Sequence, residues 1–360
     1  MASTVSARRY DGGLEPVSSR NSQAEKTERR KLPSWVAPTL GYVLAAASLF
    51  WVFHGVDLKR VAHDFTSIDW RYVTAAVILD LSVYLCHGWR WKVLLTPVAR
   101  VPFWRAVQAV YIGLFANEIL PLRTGEVIRC YLLAHWTRFP VSIAISSAAV
   151  ERVVDGIWLV VALLITTAFV PLPKYLVDAA WILGGGVLVA AGILAVIIFH
   201  KHHAHSVVRQ SRWGAVLLHV VEGLHEMGRE KTLIGSAAIS LLYLILQIVP
   251  VWALMQGYGQ DLSIWAASAV LVILRLGTVI PNAPGNVGSF QFFCVVSLGL
   301  FGIDKTTAAG FSFVVWSVLT LPLLLGGFLA VLLTGVNFQE IRRRAHGSLH
   351  QAKPPAVKSE

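Results

Sequence analysis

Glu151, Arg152 and Asp155 stand together in a stretch that is otherwise apolar, Ala148-Ala149-Val150-Glu151-Arg152-Val153-Val154-Asp155. In a helix the spacing of four puts Glu151 and Asp155 on one face, and Arg152, three residues before Asp155, reaches the same carboxylate. A charged side chain in the middle of a membrane helix costs about 2.5–3.5 kcal/mol on insertion scales, so it is a functional candidate by default. Two readings stand. The cluster either neutralises itself and locks its helix against its neighbours, or it relays a proton or counter-ion that releases a bound anion.

Two further groups of polar residues interrupt hydrophobic stretches. The first is Asn117-Glu118-Ile119-Leu120-Pro121-Leu122-Arg123-Thr124-Gly125-Glu126, followed by Arg129. Pro121 removes a backbone donor and Gly125 permits a tight turn. Arginine offers a planar fork of donors matched to phosphate oxygens and stays charged where water is scarce, so Arg123 and Arg129 are the expected phosphate contacts. The competing reading has both snorkel to headgroups as anchors. The second group runs from Pro281 to Phe290 and contains Asn282, Pro284, Gly285, Asn286, Gly288 and Ser289. It reads as a loop ahead of a half-helix starting near Val287, whose free N–H groups and positive dipole end favour an anion. Arg275 lies under two turns upstream and adds positive charge.

Other candidates are weaker. Asp80, Tyr84 and His87 recur on one helix face and read as a buried polar seam. His200, His202, His203 and His205 lack Cys or carboxylate partners at ligand spacing, so no metal site is expected. Cys86, Cys130 and Cys294 sit unpaired in apolar surroundings and read as inert. No nucleotide, zinc-protease, serine-hydrolase or dinucleotide fingerprint is present, which disfavours primary pumping and a catalytic role, and no cofactor is expected.

The elements that must hold these groups are membrane helices. Fifty-six per cent apolar residues with only 14% charged ones exceed what a water-soluble chain of 360 residues carries. Broken backbone in hydrocarbon survives only when it is buried in protein or lines a wet cavity. Six stretches are long enough to span: about 35–54, 72–91, 142–170, 176–199, 233–254 and 306–333. Two more, about 103–133 and 264–301, carry the breaks and read as re-entrant pairs of half-helices; the alternative is that each pair crosses completely. The fold class expected is thus an all-α polytopic membrane protein. Residues 1–34 read as a disordered cytoplasmic tail without a leader, 200–231 as an amphipathic helix on the inner surface, 57–70 as a shorter outer counterpart, and 336–360 as a basic cytoplasmic tail.

Charge supports this layout. With the N-terminus inside and both pairs re-entrant, the inner segments hold 24 of the 31 Lys and Arg and the outer segments 5. Helix, helix, re-entrant pair, helix then occurs twice with opposite orientation, in halves of about 35–170 and 176–334, as in many secondary transporters. The two breaks are expected to meet in mid-bilayer as one positively charged pocket. The net charge of +11 is spread over segment ends rather than gathered in a domain, which argues against nucleic acid and for anionic lipid.

Several motifs, in this order, resemble the family of the lysylphosphatidylglycerol synthase transmembrane region, or flippase-like domain. They are Arg90-Trp91 with Leu94-Leu95, Asn117-x-x-x-Pro121-x-Arg123-x-Gly125-Glu126-x-x-Arg129, Glu151-Arg152-x-x-Asp155, and Pro281-x-x-Pro284-Gly285-x-x-Gly288-x-Phe290. The resemblance covers about residues 35–335 and lacks the soluble aminoacyl-transferase domain. It implies a stand-alone module in the cytoplasmic (inner) membrane that moves a phosphate-headgroup lipid between leaflets, the lipid being a phospholipid, a polyprenyl-phosphate or a hopanoid-type lipid. Glu118, Glu126, Glu151 and Asp155 would balance charge and couple to protons. A lipid synthase and further copies of the chain are the expected protein partners. An accessory subunit of such a synthase and a membrane-embedded lipid transferase are the alternatives.

Overall fold

A computed structural model describes residues 36–120, 124–199, 230–278 and 283–336. Among them the chain forms eleven α-helices and no strand. In order these are α1 (Val36–Phe53), α2 (Leu58–Thr66), α3 (Trp70–Leu95), α4 (Phe103–Ile119), α5 (Gly125–Thr137), α6 (Val141–Phe169), α7 (Lys174–Phe199), α8 (Glu230–Gly257), α9 (Ile264–Gly277), α10 (Ser289–Gly299) and α11 (Lys305–Thr334). A 3₁₀ turn, Pro284–Asn286, stands between α9 and α10.

Side chains set several of these boundaries. A helix start leaves N–H groups without partners, and short polar side chains supply them. Asp57, Asp69, Ser263 and Asp304 accept from the first turns of α2, α3, α9 and α11. Gly335 ends α11 in the left-handed region at φ 62°.

Four helices, α3, α7, α8 and α11, are long and apolar enough to cross a membrane, and the pair α1–α2, bent by 84°, makes a fifth if it counts as one span. Six were expected. α1, described from Val36 onward, turns sharply into α2, the short helix expected near 57–70. The stretch 142–170 is one continuous helix, α6, but it carries the charged triplet and falls outside that count. The tails expected at 1–34 and 336–360 and the amphipathic segment expected at 200–231 lie outside the described residues, apart from 230, 231 and 336.

Packing builds two cores. One joins Val52 of α1 and Val73 and Ala76 of α3 to buried residues of α8, α9, α10 and α11. The other joins Trp91, Leu94 and Leu95 at the far end of α3 to α4, α5 and α6. Helix α3 therefore runs through both, and it packs extensively along α8. Large apolar side chains such as Phe50, Ile182, Leu325 and Leu333 point outward at 70% exposure or more, which hydrocarbon solvates and water would not.

Both Pro/Gly segments break their helices as expected, and each pair folds back on itself through glycine. A Cβ on Gly125 would lie 1.8 Å from the carbonyl oxygen of Gly113, so α5 starts in backbone contact with α4. A Cβ on Gly277 would lie 2.2 Å from the Phe293 ring, so α9 leaves room there for a side chain of α10.

Candidate functional site

The charges of α6 meet those of α3 and α5 where these helices cross. Arg90 donates from Nε to Glu151 Oε1 at 3.2 Å, holds both oxygens of Asp155 with its terminal nitrogens, and donates to Ser240 Oγ at 3.0 Å. Arg129 donates from Nε to Glu126 Oε2 at 3.0 Å and from Nη2 to Glu151 Oε2 at 2.9 Å, and its Nη1 lies 3.0 Å from His87 Nε2. A guanidinium nitrogen can only donate, so His87 accepts there, which makes its ring the neutral tautomer with the proton on Nδ1. Arg152 donates to Glu126 and stands 4.0 Å from Asp155. Trp91 lies under Arg129 and Tyr243 under Arg90, at 4.7 and 4.9 Å from ring centre to guanidinium carbon.

Exposure sorts this network into two layers. The side chains of Arg90, Arg129 and Glu151 are each 1% exposed, whereas Asp155, Glu126 and Arg152 are 23%, 29% and 54% exposed. Taking ions out of water costs several kcal/mol each unless partners and hydrogen bonds replace the solvent. The inner three meet that condition by saturating one another. The outer three keep part of their solvation and face a cavity.

That cavity has a volume of about 520 Å³. Its walls include Asn117 and Glu118 at the end of α4, Glu126 of α5, Arg152 and Asp155 of α6, Arg275 and Thr278 of α9, and Asn286 of the second break. Both breaks thus open on one space. The two breaks also touch: a Cβ on Gly285 would lie 3.9 Å from Glu118 Oε2, and the Gly285 carbonyl accepts from Trp316 Nε1–H at 2.8 Å. Asn117 Oδ1 accepts from the Gly125 N–H at 2.8 Å and so pins the start of α5 to the end of α4. Arg275 is exposed to the cavity, donates to Gln247, and meets no carboxylate within 4 Å among the described residues.

Several expectations change. Arg129 does not line the cavity: the protein buries it, and each of its three nitrogens is engaged by a carboxylate or by His87. Gly288 and Ser289 are buried and do not line the cavity; Gly288, at φ 87°, abuts the backbone of Ala45 in α1, and its N–H is taken by Gln291 Oε1 at 2.7 Å. The Gly288 N–H at the start of α10 is therefore not offered to an anion in the cavity. Arg123 and Asn282 lie outside the described residues. Among the described residues, four arginines (Arg90, Arg129, Arg152, Arg275) stand against four carboxylates (Glu118, Glu126, Glu151, Asp155) in the cavity and the network behind it.

Residues that sequence reasoning missed come mainly from two helices. Arg90, at the end of the expected span 72–91 and named there only as part of a family motif, is fully buried. Ser240, Tyr243 and Gln247 of α8 line the cavity. With Ser236 they recur at spacings of four, three and four, a polar stripe on one face of an apolar helix, and that stripe was the available signal.

Comparison with known proteins bears on the same stretch. The profile of the family described as lysylphosphatidylglycerol synthase TM region matches residues 39–341. A UPF0104 membrane protein of Methanothermobacter thermautotrophicus is 24% identical over 267 residues, which cover 66% of this chain and 78% of that one. The UPF0104 membrane protein MJ1595 of Methanocaldococcus jannaschii is 25% identical over 278 residues, 71% and 82% of the two chains. No solved structure matches this chain.

Proposed function

We propose that this chain, a multi-pass membrane protein which belongs to the lysylphosphatidylglycerol synthase transmembrane-region family, moves a phosphate-headgroup lipid between the leaflets of the cytoplasmic membrane. One observation carries the reading: both helix breaks open on a single cavity of about 520 Å³ that presents the exposed guanidiniums of Arg152 and Arg275. The volume falls inside the usual ligand range of about 300–1,000 Å³. Broken helices facing one another across such a space are the backbone arrangement of secondary transporters. The headgroup would enter the cavity and its tail would stay among the apolar side chains outside.

The pattern of packed helices supports an inverted repeat. Exchange α3 with α8, α4–α5 with α9–α10, and α6 with α11. The contacts α3–α4, α4–α5, α5–α6, α4–α11 and α3–α11 then become α8–α9, α9–α10, α10–α11, α9–α6 and α8–α6, all of which occur. Helices α1 and α7 depart from the exchange, since α1 packs on α10 while α7 lies mainly against α6. Charge supports cytoplasmic termini: with buried Arg90 and Arg129 removed from the inner total of 24, 22 basic residues remain inside against 5 outside. We infer transport rather than catalysis because Glu126, Glu151 and Asp155 are each held by arginine and are poor general bases there.

The test uses vesicles with fluorescent phosphate lipids and the reconstituted protein. Losing one charge-assisted hydrogen bond of about 1.5–3 kcal/mol should slow transfer by roughly tenfold or more in Arg275→Gln. Equal transfer rates in wild type and variant would refute the proposal.

A further inference from the structure

Asp80 is the buried carboxylate that the cavity network leaves aside. It lies about 15 Å along α3 at 1.5 Å per residue, mid-way through a helix long and apolar enough to span. It is 5% exposed, and its Oδ2 has no hydrogen-bond partner among the described residues. No Lys, Arg or His comes within 4 Å of it there, in contrast to Glu126, Glu151 and Asp155. The groups that face it are named easily. Tyr84, one turn on, lies beside the carboxyl and donates to the Leu319 carbonyl at 3.2 Å. Tyr111 of α4 stacks obliquely on Tyr84 at 5.0 Å, and Tyr243 of α8 faces Tyr84. Arg275 of α9 is near enough to act on Asp80 through space. Helix α11 brings only that carbonyl, its one titratable residue, Lys305, being its first; α6 sets its charges beside His87 and Arg90, further along α3.

Tyr84 therefore ties the surroundings of Asp80 to α11 through the Leu319 carbonyl. The charge count sharpens the point. Among the described residues the cavity and its network hold as many carboxylates as arginines, so an anionic headgroup arriving beside Arg275 adds negative charge next to Asp80 that these groups leave uncompensated. Burial without a cation in contact penalises the ionised carboxyl, and an anion that engages Arg275 offsets the one through-space cation named above.

We propose that Asp80 is the site at which this protein takes up a proton together with an anionic headgroup. The proton comes from water at the membrane surface and forms an O–H bond on Oδ2; nothing is oxidised or reduced, and the lipid is not modified. Coupling of this kind is reciprocal, so headgroup binding draws the proton in and protonation strengthens headgroup binding. The inference rests on the headgroup cavity described above and moves the coupling role from the ion-paired carboxylates to Asp80.

The full chain in lipid nanodiscs supplies the test, with dihexanoyl phosphatidic acid as probe. Wild type should show an infrared carboxylic-acid band on acid titration without lipid, take up about one proton per probe bound, and bind about tenfold less tightly per pH unit above the Asp80 transition. Asp80→Asn, which keeps the shape, should lose the band and the uptake and bind with a flat pH profile. If that variant aggregates, Tyr84→Phe keeps the carboxyl and should displace the pH at which the band appears. A wild type with no such band, or an Asp80→Asn variant with the same band and slope, overturns the proposal, as does tightening by sodium in place of acid. Proton uptake without lipid transfer in vesicles keeps the Asp80 site and sinks the transport reading; transfer with a flat pH profile does the reverse.

Discussion

Glu151→Gln isolates the electrostatic part of the buried network, because the amide keeps the shape of the carboxyl and removes its charge. Glu151 accepts from Arg90 at 3.2 Å and from Arg129 at 2.9 Å, and its side chain is 1% exposed. The amide can still accept one of these bonds but presents an NH₂ group to the other arginine. Breaking a buried ion pair by removing one partner costs about 3–5 kcal/mol. Arg90 keeps Asp155 and Arg129 keeps Glu126, which sets the expectation at about 3 kcal/mol, the lower end of that range. A domain above ~150 residues shifts its melting midpoint by about 2–4 °C per kcal/mol, so the expected drop is about 6–12 °C. The assay is thermal unfolding of the purified protein in detergent, followed by tryptophan fluorescence. Asp155→Asn serves as the contrast: its carboxylate is 23% exposed, water screens it, and its drop should be less than half as large. A Glu151→Gln midpoint within 2 °C of wild type would show that the network is not the lock its burial implies.

Three other outcomes follow from particular contacts. Gly125→Ala puts a Cβ 1.8 Å from the Gly113 carbonyl oxygen, and overpacking of at least about 1–3 kcal/mol should lower the melting midpoint sharply; Gly185→Ala, which meets nothing within 4 Å, should leave it level or slightly raised. Asn117→Ala removes the acceptor for the Gly125 N–H and should cost about 1 kcal/mol, read as faster limited proteolysis between α4 and α5. Asp304, outside the spans, is opposed by burial, yet the Thr307 hydroxyl and N–H, Arg60 and the Thr306 N–H outweigh this and hold its carboxyl below the usual 3.8. Its folded value is depressed, so its stabilisation is present above pH 3.8 and fades as the pH falls through the lower value; Asp304→Asn should flatten that acid limb of a stability–pH curve.

The breaks were legible in the sequence because Pro and Gly act locally. Pro121 and Gly125, like Pro284, Gly285 and Gly288, forbid or permit backbone states whatever the tertiary setting, and helices end at Ile119 and Gly277 and restart at Gly125 and Ser289. What each charged residue contacts was not legible, because partners come from distant helices. Arg90 follows Trp89 near the end of an apolar run and reads as an interfacial anchor; only the arrival of Glu151 and Asp155 from α6 makes it central. The start of α10 misled for the same reason, since the N–H that a local reading leaves open is covered by Gln291 and by Ala45 of α1. The sharp turn from α1 into α2, 84° across the short link at 54–57, was not legible, because the apolar run 39–53 before it carries no Pro.

The division of labour among the arginines follows from burial alone. A headgroup phosphate that captured Arg129 or Arg90 would strip Glu151 of a partner in a place water does not reach, at about 3–5 kcal/mol. Capture of Arg152 strips Glu126, which is 29% exposed and still held by Arg129 at 2.9 Å, and Asp155, which is 23% exposed and still held by Arg90. Capture of Arg275 strips a neutral amide. The two cavity-facing arginines can therefore exchange partners cheaply while the two buried ones cannot. This separates their variants: Arg152→Lys should weaken binding of a phosphate lipid with the melting midpoint unchanged, because lysine keeps the charge and loses the fork. Arg129→Lys should lower the midpoint, because one ammonium cannot reach Glu126, Glu151 and His87 together. If Arg152→Lys proved the destabilised variant and Arg129→Lys the one that merely binds poorly, the assignment of layers would be inverted.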